Sequence, residues 1–237
     1  IRPVQVEDIL GREPVEVDFE AIAEYLRGET VLISGAGGSI GSELCRQIAH
    51  FQPSLLVLFE QSEFAMYKVD SELREAFPDM PVASVVGDVK NVRRVAQVMH
   101  QYSPSIVFHA AAYKHVPLME ELNSWEAVQN NVYGTYVVAR AAIDYGVSKF
   151  VFVSTDKAVN PTNVMGATKR LAEMVCQALQ AGTDTRFEMV RFGNVLGSAG
   201  SVIPRFEEQI HKGGPVTVTH PDIIRYFMTI PEAARLV

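Results

Sequence analysis

Thr30-Val-Leu-Ile-Ser-Gly-Ala-Gly-Gly-Ser-Ile-Gly41 is the stretch that decides the fold. A β-rich run from Thr30 to Ser34 leads straight into glycines at 35, 38 and 41, after which Ile40, Leu44 and Ile48 recur four apart. The pattern is strand, tight turn, helix. Glycine lets the chain turn sharply and approach a pyrophosphate, and the helix N-terminus supplies amide donors. A glycine triplet alone is a weak signal, but this one has a strand before it and a helix after it, in the first such unit of the chain. Gly35, Gly37, Gly38, Ser39, Ile40 and Gly41 are therefore expected to bind a dinucleotide. The alternative is a merely structural glycine turn.

Downstream the two periods keep alternating. Apolar runs at Leu55–Phe59, Val82–Val86, Ser105–His109, Phe150–Ser154 and Phe187–Arg191 read as strands. Between them lie helical patterns: one capped by Ser62 and running to Phe77, one with Val92, Val95, Ala96 and Met99 on a single face, a long one over about 124–145, and one from Met165 to Gln180. Strands alternating with helices imply an α/β fold with a doubly wound parallel sheet. Continuous apolar strands suit a sheet covered on both faces. Ligands of such sheets bind outside the carboxyl ends of the strands. Residues 30–192 form this domain. Residues 1–29 read as a linker or arm with a short helix at about 19–26. From Gly193 the chain turns Gly- and Pro-rich, with a helix near 201–211 and a strand at Val216–Thr219, the start of a smaller substrate-side subdomain over 193–237. The chain starts at Ile1 and stops at Val237 inside an incipient helix, so an excised fragment is expected.

Bulk properties exclude several classes. A formal charge of −7 over 237 residues, without a basic run, argues against broad nucleic-acid binding. No apolar run approaches the roughly 18 residues of a membrane span, and no signal peptide is visible. Cys45 and Cys176 fall in predicted helices and read as packed thiols, which fits a reducing compartment. No metal site is expected.

Chemistry concentrates in Ser154-Thr155-Asp156-Lys157 and Met165-Gly-Ala-Thr-Lys169. A hydroxyl, a carboxylate and an amine follow one another at the end of the fifth strand, and a second lysine opens the next helix. Tyr145-Gly-Val-Ser-Lys149 matches a Tyr-x-x-x-Lys pattern literally, but it precedes the fifth strand and so lies at the wrong end of the sheet. The segment with the right placement carries Met165 where a redox enzyme of this build usually has tyrosine. On the cofactor side, Glu60 ends the second strand, where an acid accepts ribose hydroxyls and repels a 2′-phosphate, favouring NAD over NADP. Its alternative is a solvated capping acid. Asp88, with Val89 after it, could accept from an adenine amino group or cap the next helix. Ala110 and Ala111 allow close passage of the cofactor, and His109 reads as structural.

These segments together carry a resemblance. GAGGSIG (35–41), LFEQSEF (58–64), HAAAYKHVPLME (109–120), NNVYGT (130–135), STDKAVNPTNVMGATK (154–169), RFGNVLGSAGSVIPRF (191–206) and TVTHPDIIRYFMT (217–229) are similar to the UDP-N-acetylglucosamine 4,6-dehydratases of bacterial polysaccharide biosynthesis. These are extended short-chain dehydrogenases/reductases with a Rossmann-like domain. The methionine resembles their large, often membrane-anchored branch. The resemblance implies a lyase on the cytoplasmic side, NAD held tightly, and UDP-N-acetylglucosamine as substrate. It implies Asp156 as the acid at O6, Lys157 as the base at C5, Lys169 near the nicotinamide ribose, Met165 shaping the pocket, and Thr155 near O4 as relay or simple hydrogen-bond partner. Burial would favour a protonated Asp156; burial, Lys169 and the nicotinamide charge would lower the pKa of Lys157, while ionised Asp156 would raise it. The alternative for the two is a surface ion pair. Lys114, His115, Asn194, Arg205 and Arg225 are implied on the substrate side; for the two arginines the alternative is a surface cation. Asn131 is grouped with them, tying the central helix to the active-site strand. A UDP-sugar 4-epimerase and a non-catalytic dinucleotide sensor are the other readings. The helices at 62–77 and 124–145 could pair in a homo-oligomer or simply cover the sheet.

Overall fold

The computed structural model describes residues 19–198, 202–218, 220–222 and 224–237. In chain order the elements are α1 (Phe19–Leu26), β1 (Thr30–Ser34), α2 (Ser39–His50), β2 (Leu55–Glu60), α3 (Glu63–Ala76), β3 (Val82–Val86), α4 (Val92–Tyr102), β4 (Ile106–His109), α5 (Val116–Glu120) and α6 (Ser124–Ala127). A π-helical segment, Val128–Tyr133, leads into α7 (Gly134–Asp144) and β5 (Lys149–Thr155). After a 3-10 turn at Asp156–Ala158 come α8 (Val164–Gln180), β6 (Arg186–Phe192), β7 (Asn194–Val195), α9 (Val202–His211), β8 (Phe227–Met228) and α10 (Ile230–Arg235).

Six parallel strands form one sheet in the order β3-β2-β1-β4-β5-β6. The order reverses between β1 and β4, which opens a crevice at their carboxyl ends. Successive strand residues alternate between two cores. Leu32, Val57, Val107, Phe150 and Phe152 face α4, α7 and α8. Val31, Ile33, Leu58, Phe108 and Val151 face α2 and α3. Phe150 and Phe152 are fully buried, and burying each contributes roughly 2–3 kcal/mol. Ser62 caps α3 as read from sequence, its hydroxyl accepting the Ala65 amide at 3.3 Å.

Two expectations change, and one left open is narrowed. The helix read as continuous over 124–145 is interrupted by the π segment, whose widened turn carries the buried Asn130 and Asn131. Residues 216–218 are not in a strand; the small second sheet is instead a parallel pair, Asn194–Val195 with Phe227–Met228. The inner face of α7, including Val137, Val138, Ala141 and Ala142, is buried in the core, so this helix covers the sheet. The arm read over residues 1–18 and the part of the strand at Thr219 lie outside the described residues. Among the described residues no helix is long and apolar enough to cross a membrane.

Candidate active site

Two adjoining cavities occupy the crevice at the carboxyl ends of the strands. The smaller, about 220 Å³, is lined by Gly35, Gly37, Glu60, Val89, Ala111 and Asn130, among others. The larger, about 520 Å³, is lined by Ser39, Ile40, Gly41, Thr155, Lys157, Met165, Lys169 and Asn194, with apolar walls from α5, Phe192 and Phe227. Gly38, Ala110, Ala112 and Tyr113 line both. The volume is therefore one bent trough across the switch in strand order, a shape suited to a dinucleotide with a substrate at one end.

The glycine loop fits such a ligand. Gly35 has φ +73°, and a Cβ there would stand 2.6 Å from the Ala111 nitrogen. At Gly41 a Cβ would meet the Gly35 carbonyl oxygen at 2.0 Å. Only bare backbone lets the loop lie this close to the segment after β4. Gly38 caps α2 without any side chain, so an anion in the trough would meet the positive end of that helix. Glu60 braces the loop: Oε2 accepts the Gly37 amide at 3.1 Å and Oε1 the Ser62 amide at 2.9 Å. Asp88 departs from expectation. Its Oδ1 accepts the Lys90 amide at 2.8 Å and its Oδ2 pairs with Lys90 Nζ at 2.9 Å, and it does not line the cavity. The local turn captures the carboxylate that was expected to face adenine.

At the other end, the turn after β5 gathers the acid/base groups. Thr155 Oγ1 donates to Asp156 Oδ1 at 3.0 Å. Lys157 Nζ donates to the same oxygen at 3.0 Å and to Asn194 Oδ1 at 2.9 Å. Lys157 thus ties the end of β5 to β7. Gly166 makes this arrangement possible, because a Cβ there would lie 2.4 Å from the Lys157 carbonyl oxygen. The burial expected for the acid/base pair is not what the structure shows: the Lys157 and Asp156 side chains are 27% and 37% exposed. Asp156 borders the cavity through its partners, since Thr155 and Lys157, which both donate to its Oδ1, line the wall.

Lys169 is the buried amine, 5% exposed. Its Nζ donates to the Val153 carbonyl at 2.5 Å and lies 4.0 Å from the Phe152 ring centroid. Burial pulls its pKa down from 10.5 to about 7, against the opposing pull of Cys176 and Glu173. Met165, 4% exposed, presents its thioether side chain to the cavity wall one turn earlier on α8.

The substrate-side expectations divide. Lys114 and His115 line the larger cavity, as does Asn194. Arg205 and Arg225 do not: both are exposed, and Arg225 Nη1 donates to the neighbouring Ile224 carbonyl. Asn131 is not a substrate contact either. It is 1% exposed, its Oδ1 accepts the Tyr113 amide at 2.8 Å, and its Nδ2 donates to the Tyr113 carbonyl and to Thr168 Oγ1, each at 3.0 Å. The tie it makes runs to α8 and to the segment after β4.

That tie belongs to a longer line. Ser34 Oγ lies 2.6 Å from His109 Nδ1, His109 Nε2 lies 3.0 Å from Thr135 Oγ1, and Thr135 donates to the Asn131 carbonyl at 2.6 Å. Thr168 then donates to the Met165 carbonyl at 2.8 Å. Since the Thr135 proton goes to Asn131, His109 carries its hydrogen on Nε2 and accepts from Ser34. Burial, with the Lys169 charge, holds its pKa down at about 3, so it is neutral and structural as the sequence suggested. Sequence reasoning missed Glu173, a charged residue inside the buried stripe of α8 between Lys169 and Cys176. Its place on that stripe was the available signal.

Comparison with known proteins adds the following. The family described as polysaccharide biosynthesis protein matches residues 31–237. The chain is 55% identical over 239 aligned residues to the capsular polysaccharide biosynthesis protein CapD of Staphylococcus aureus, covering 100% of this chain and 40% of that protein. It is 36% identical over 219 residues to the UDP-glucose 4-epimerase of Rickettsia canadensis (88% of this chain, 61% of that protein). It is 31% identical over 215 residues to the UDP-N-acetylglucosamine 4,6-dehydratase (inverting) of Campylobacter jejuni (89% and 62%). The chain thus spans 40–62% of the length of these relatives.

Proposed function

The chain belongs to the polysaccharide biosynthesis protein family, and from that premise we propose that it is the catalytic part of a nucleotide-sugar 4,6-dehydratase acting on UDP-N-acetylglucosamine. The observation that carries this reading is the Asp156–Lys157 pair, joined at 3.0 Å beside the cavity that Met165 and Lys169 line. Loss of water across C5 and C6 needs an acid and a base at those atoms, whereas interconversion at C4 needs only a group that exchanges the O4 proton. The dehydratase relative of Campylobacter jejuni supports the same choice.

A nicotinamide dinucleotide, NAD in this reading, would be held by Gly35–Gly41 at its phosphates, Glu60 at the adenosine ribose and Lys169 at the nicotinamide end. When bound it supplies the hydride acceptor for C4 and the hydride donor for C6. The chain's own residues do the proton work. For the elimination the proton of the pair, held across a 3.0 Å contact, must lie on Asp156, leaving Lys157 a neutral amine. The amine takes the C5 hydrogen as a proton, and the acid protonates O6 as water leaves. Met165 has no proton to exchange. The neutral form of Lys169, abundant near its pKa of about 7, takes the O4 proton, while Thr155 holds the O4 hydroxyl. Lys157 returns a proton to C5, and the proton on Lys169 restores the starting pair.

Incubating the chain with UDP-N-acetylglucosamine and NAD in D₂O tests this, beside a full-length relative as positive control. The expected product is a 4-keto-6-deoxy sugar with deuterium at C5. A C4 epimer without dehydration would instead establish the second reading, a UDP-sugar 4-epimerase, which the Rickettsia canadensis relative favours. Cofactor choice is separately testable. Glu60→Ala removes the ribose acceptor and the brace on Gly37, and is expected to weaken NAD binding about 10- to 100-fold while admitting NADP. Calorimetric titration with both dinucleotides reads this out; equal affinity of the parent for both would remove Glu60 from the role.

A further inference from the structure

Glu173 is 1% exposed and stands on α8 four residues beyond Lys169. The proposed proton transfers do not use it. A carboxylate this deep is costly unless its oxygens are filled, and they are. Oε1 accepts from Ser154 Oγ at 2.6 Å and from Arg191 Nε at 2.7 Å. Oε2 accepts from Arg191 Nη2 at 2.5 Å and from Arg170 Nη1 at 2.9 Å. Burial opposes the charge, but bonds from Arg191, Ser154 and Arg170 prevail and hold its pKa at about 2.

The two arginines alone would balance the carboxylate. The bond to Ser154 does something else, because Ser154 lies between Val153, whose carbonyl accepts from Lys169, and Thr155 at the mouth of the site. Lys169 and Glu173 are one helical turn apart on the same face of α8. Together they grip consecutive residues of β5 just before the Thr155–Asp156–Lys157 turn. We propose that Glu173 is a positioning residue of the active site, fixing residues 153–155 of β5 to α8 so that Thr155 and Lys169 keep one relative geometry. Its charge also acts on Lys169, favouring the ammonium against burial.

A core salt cluster without this role would affect folding alone. Three variants separate the cases. Ser154→Ala removes only the link to the strand and leaves both arginine pairs; we expect a melting temperature close to the parent's, kcat lowered about tenfold and KM within about twofold. Glu173→Gln is expected to move the Lys169 titration, followed by NMR of Cε-labelled lysine and assigned with Lys169→Met, to lower pH than in the parent. Glu173→Asp, which keeps the charge but shortens the reach, should restore that titration without restoring kcat. An unmoved Lys169 titration together with parental kcat in Ser154→Ala overturns the proposal. If Glu173→Gln does not fold, parental kcat in Ser154→Ala overturns it alone. The turnover arm rests on the dehydratase reading; should the parent fail to turn over, that reading falls, while the lysine titration still decides the role of Glu173.

Discussion

Lys169→Met abolishes turnover and yields a protein more stable than the parent below pH 7. Burial lowers the folded-state pKa of this lysine to about 7, while the unfolded chain keeps the ordinary 10.5. For a base with a depressed folded pKa, the unfolded state binds more protons between those two values. The parent therefore gains stability as pH rises from 7 toward 10.5, and below pH 7 the penalty of burying the ammonium is fully present. At 1.36 kcal/mol per pKa unit the limiting penalty is roughly 5 kcal/mol. Structural relaxation, and loss of the bonds to the Val153 carbonyl and the Phe152 ring, reduce the expected gain to about 1–3 kcal/mol. Urea unfolding of both proteins at pH 6 and pH 9 measures it, and the gap should narrow at the higher pH. A variant less stable than the parent at pH 6 would show that the lysine carries no such penalty. On the proposed mechanism, turnover disappears because methionine offers nothing to receive the O4 proton.

Lys157→Met and Asp156→Asn have a different signature. Each removes one half of the pair to which the proposed elimination is assigned, and loss of a general acid or base typically costs 10²- to 10⁴-fold in rate. Oxidation at C4 uses neither group. The expected result is a hundredfold or greater fall in dehydration, with a 4-keto sugar that still carries its C6 hydroxyl accumulating on the enzyme. Mass spectrometry of the quenched sugar after a single turnover distinguishes this intermediate from substrate and product. An epimerase would keep its rate within about tenfold in both variants, since the pair lies outside its chemistry. Asp156→Asn keeps a side-chain oxygen for Thr155 and Lys157 to donate to, so its effect reports the lost acid more than a collapsed turn.

The sheet was legible because its signal is local and periodic. Each of the six strands could be placed to within a residue or two from apolar runs, and Ser62 announced its helix by chemistry alone. What escaped depended on side chains meeting from distant parts of the chain. The π segment cannot be seen in a pattern that stays helical on both sides of Asn131. Asp88 looked like a cofactor ligand because nothing in its neighbourhood reveals that Lys90 folds back onto it. Arg205 and Arg225 were chosen for their charge, and charge does not say which way a helix or loop turns it. Asp156 and Lys157 were expected deeper than they lie; the structure joins them as a partly exposed ion pair. Glu173 was overlooked because buried charge runs against the ordinary hydrophobic stripe, though that departure is what marks it.

The hydrogen-bonded line from Ser34 through His109, Thr135, Asn131 and Thr168 to Met165 has a consequence for how the protein breathes. It crosses from the strand that opens the glycine loop to the helix that carries Met165 and Lys169, and each link is buried. Opening one end strands polar groups at the next, so the glycine-loop end and the Met165–Lys169 end cannot loosen separately at low cost. Amide hydrogens along β1, the π segment and the first turn of α8 should exchange as a single cooperative unit, whereas the exposed loop before β8 opens on its own.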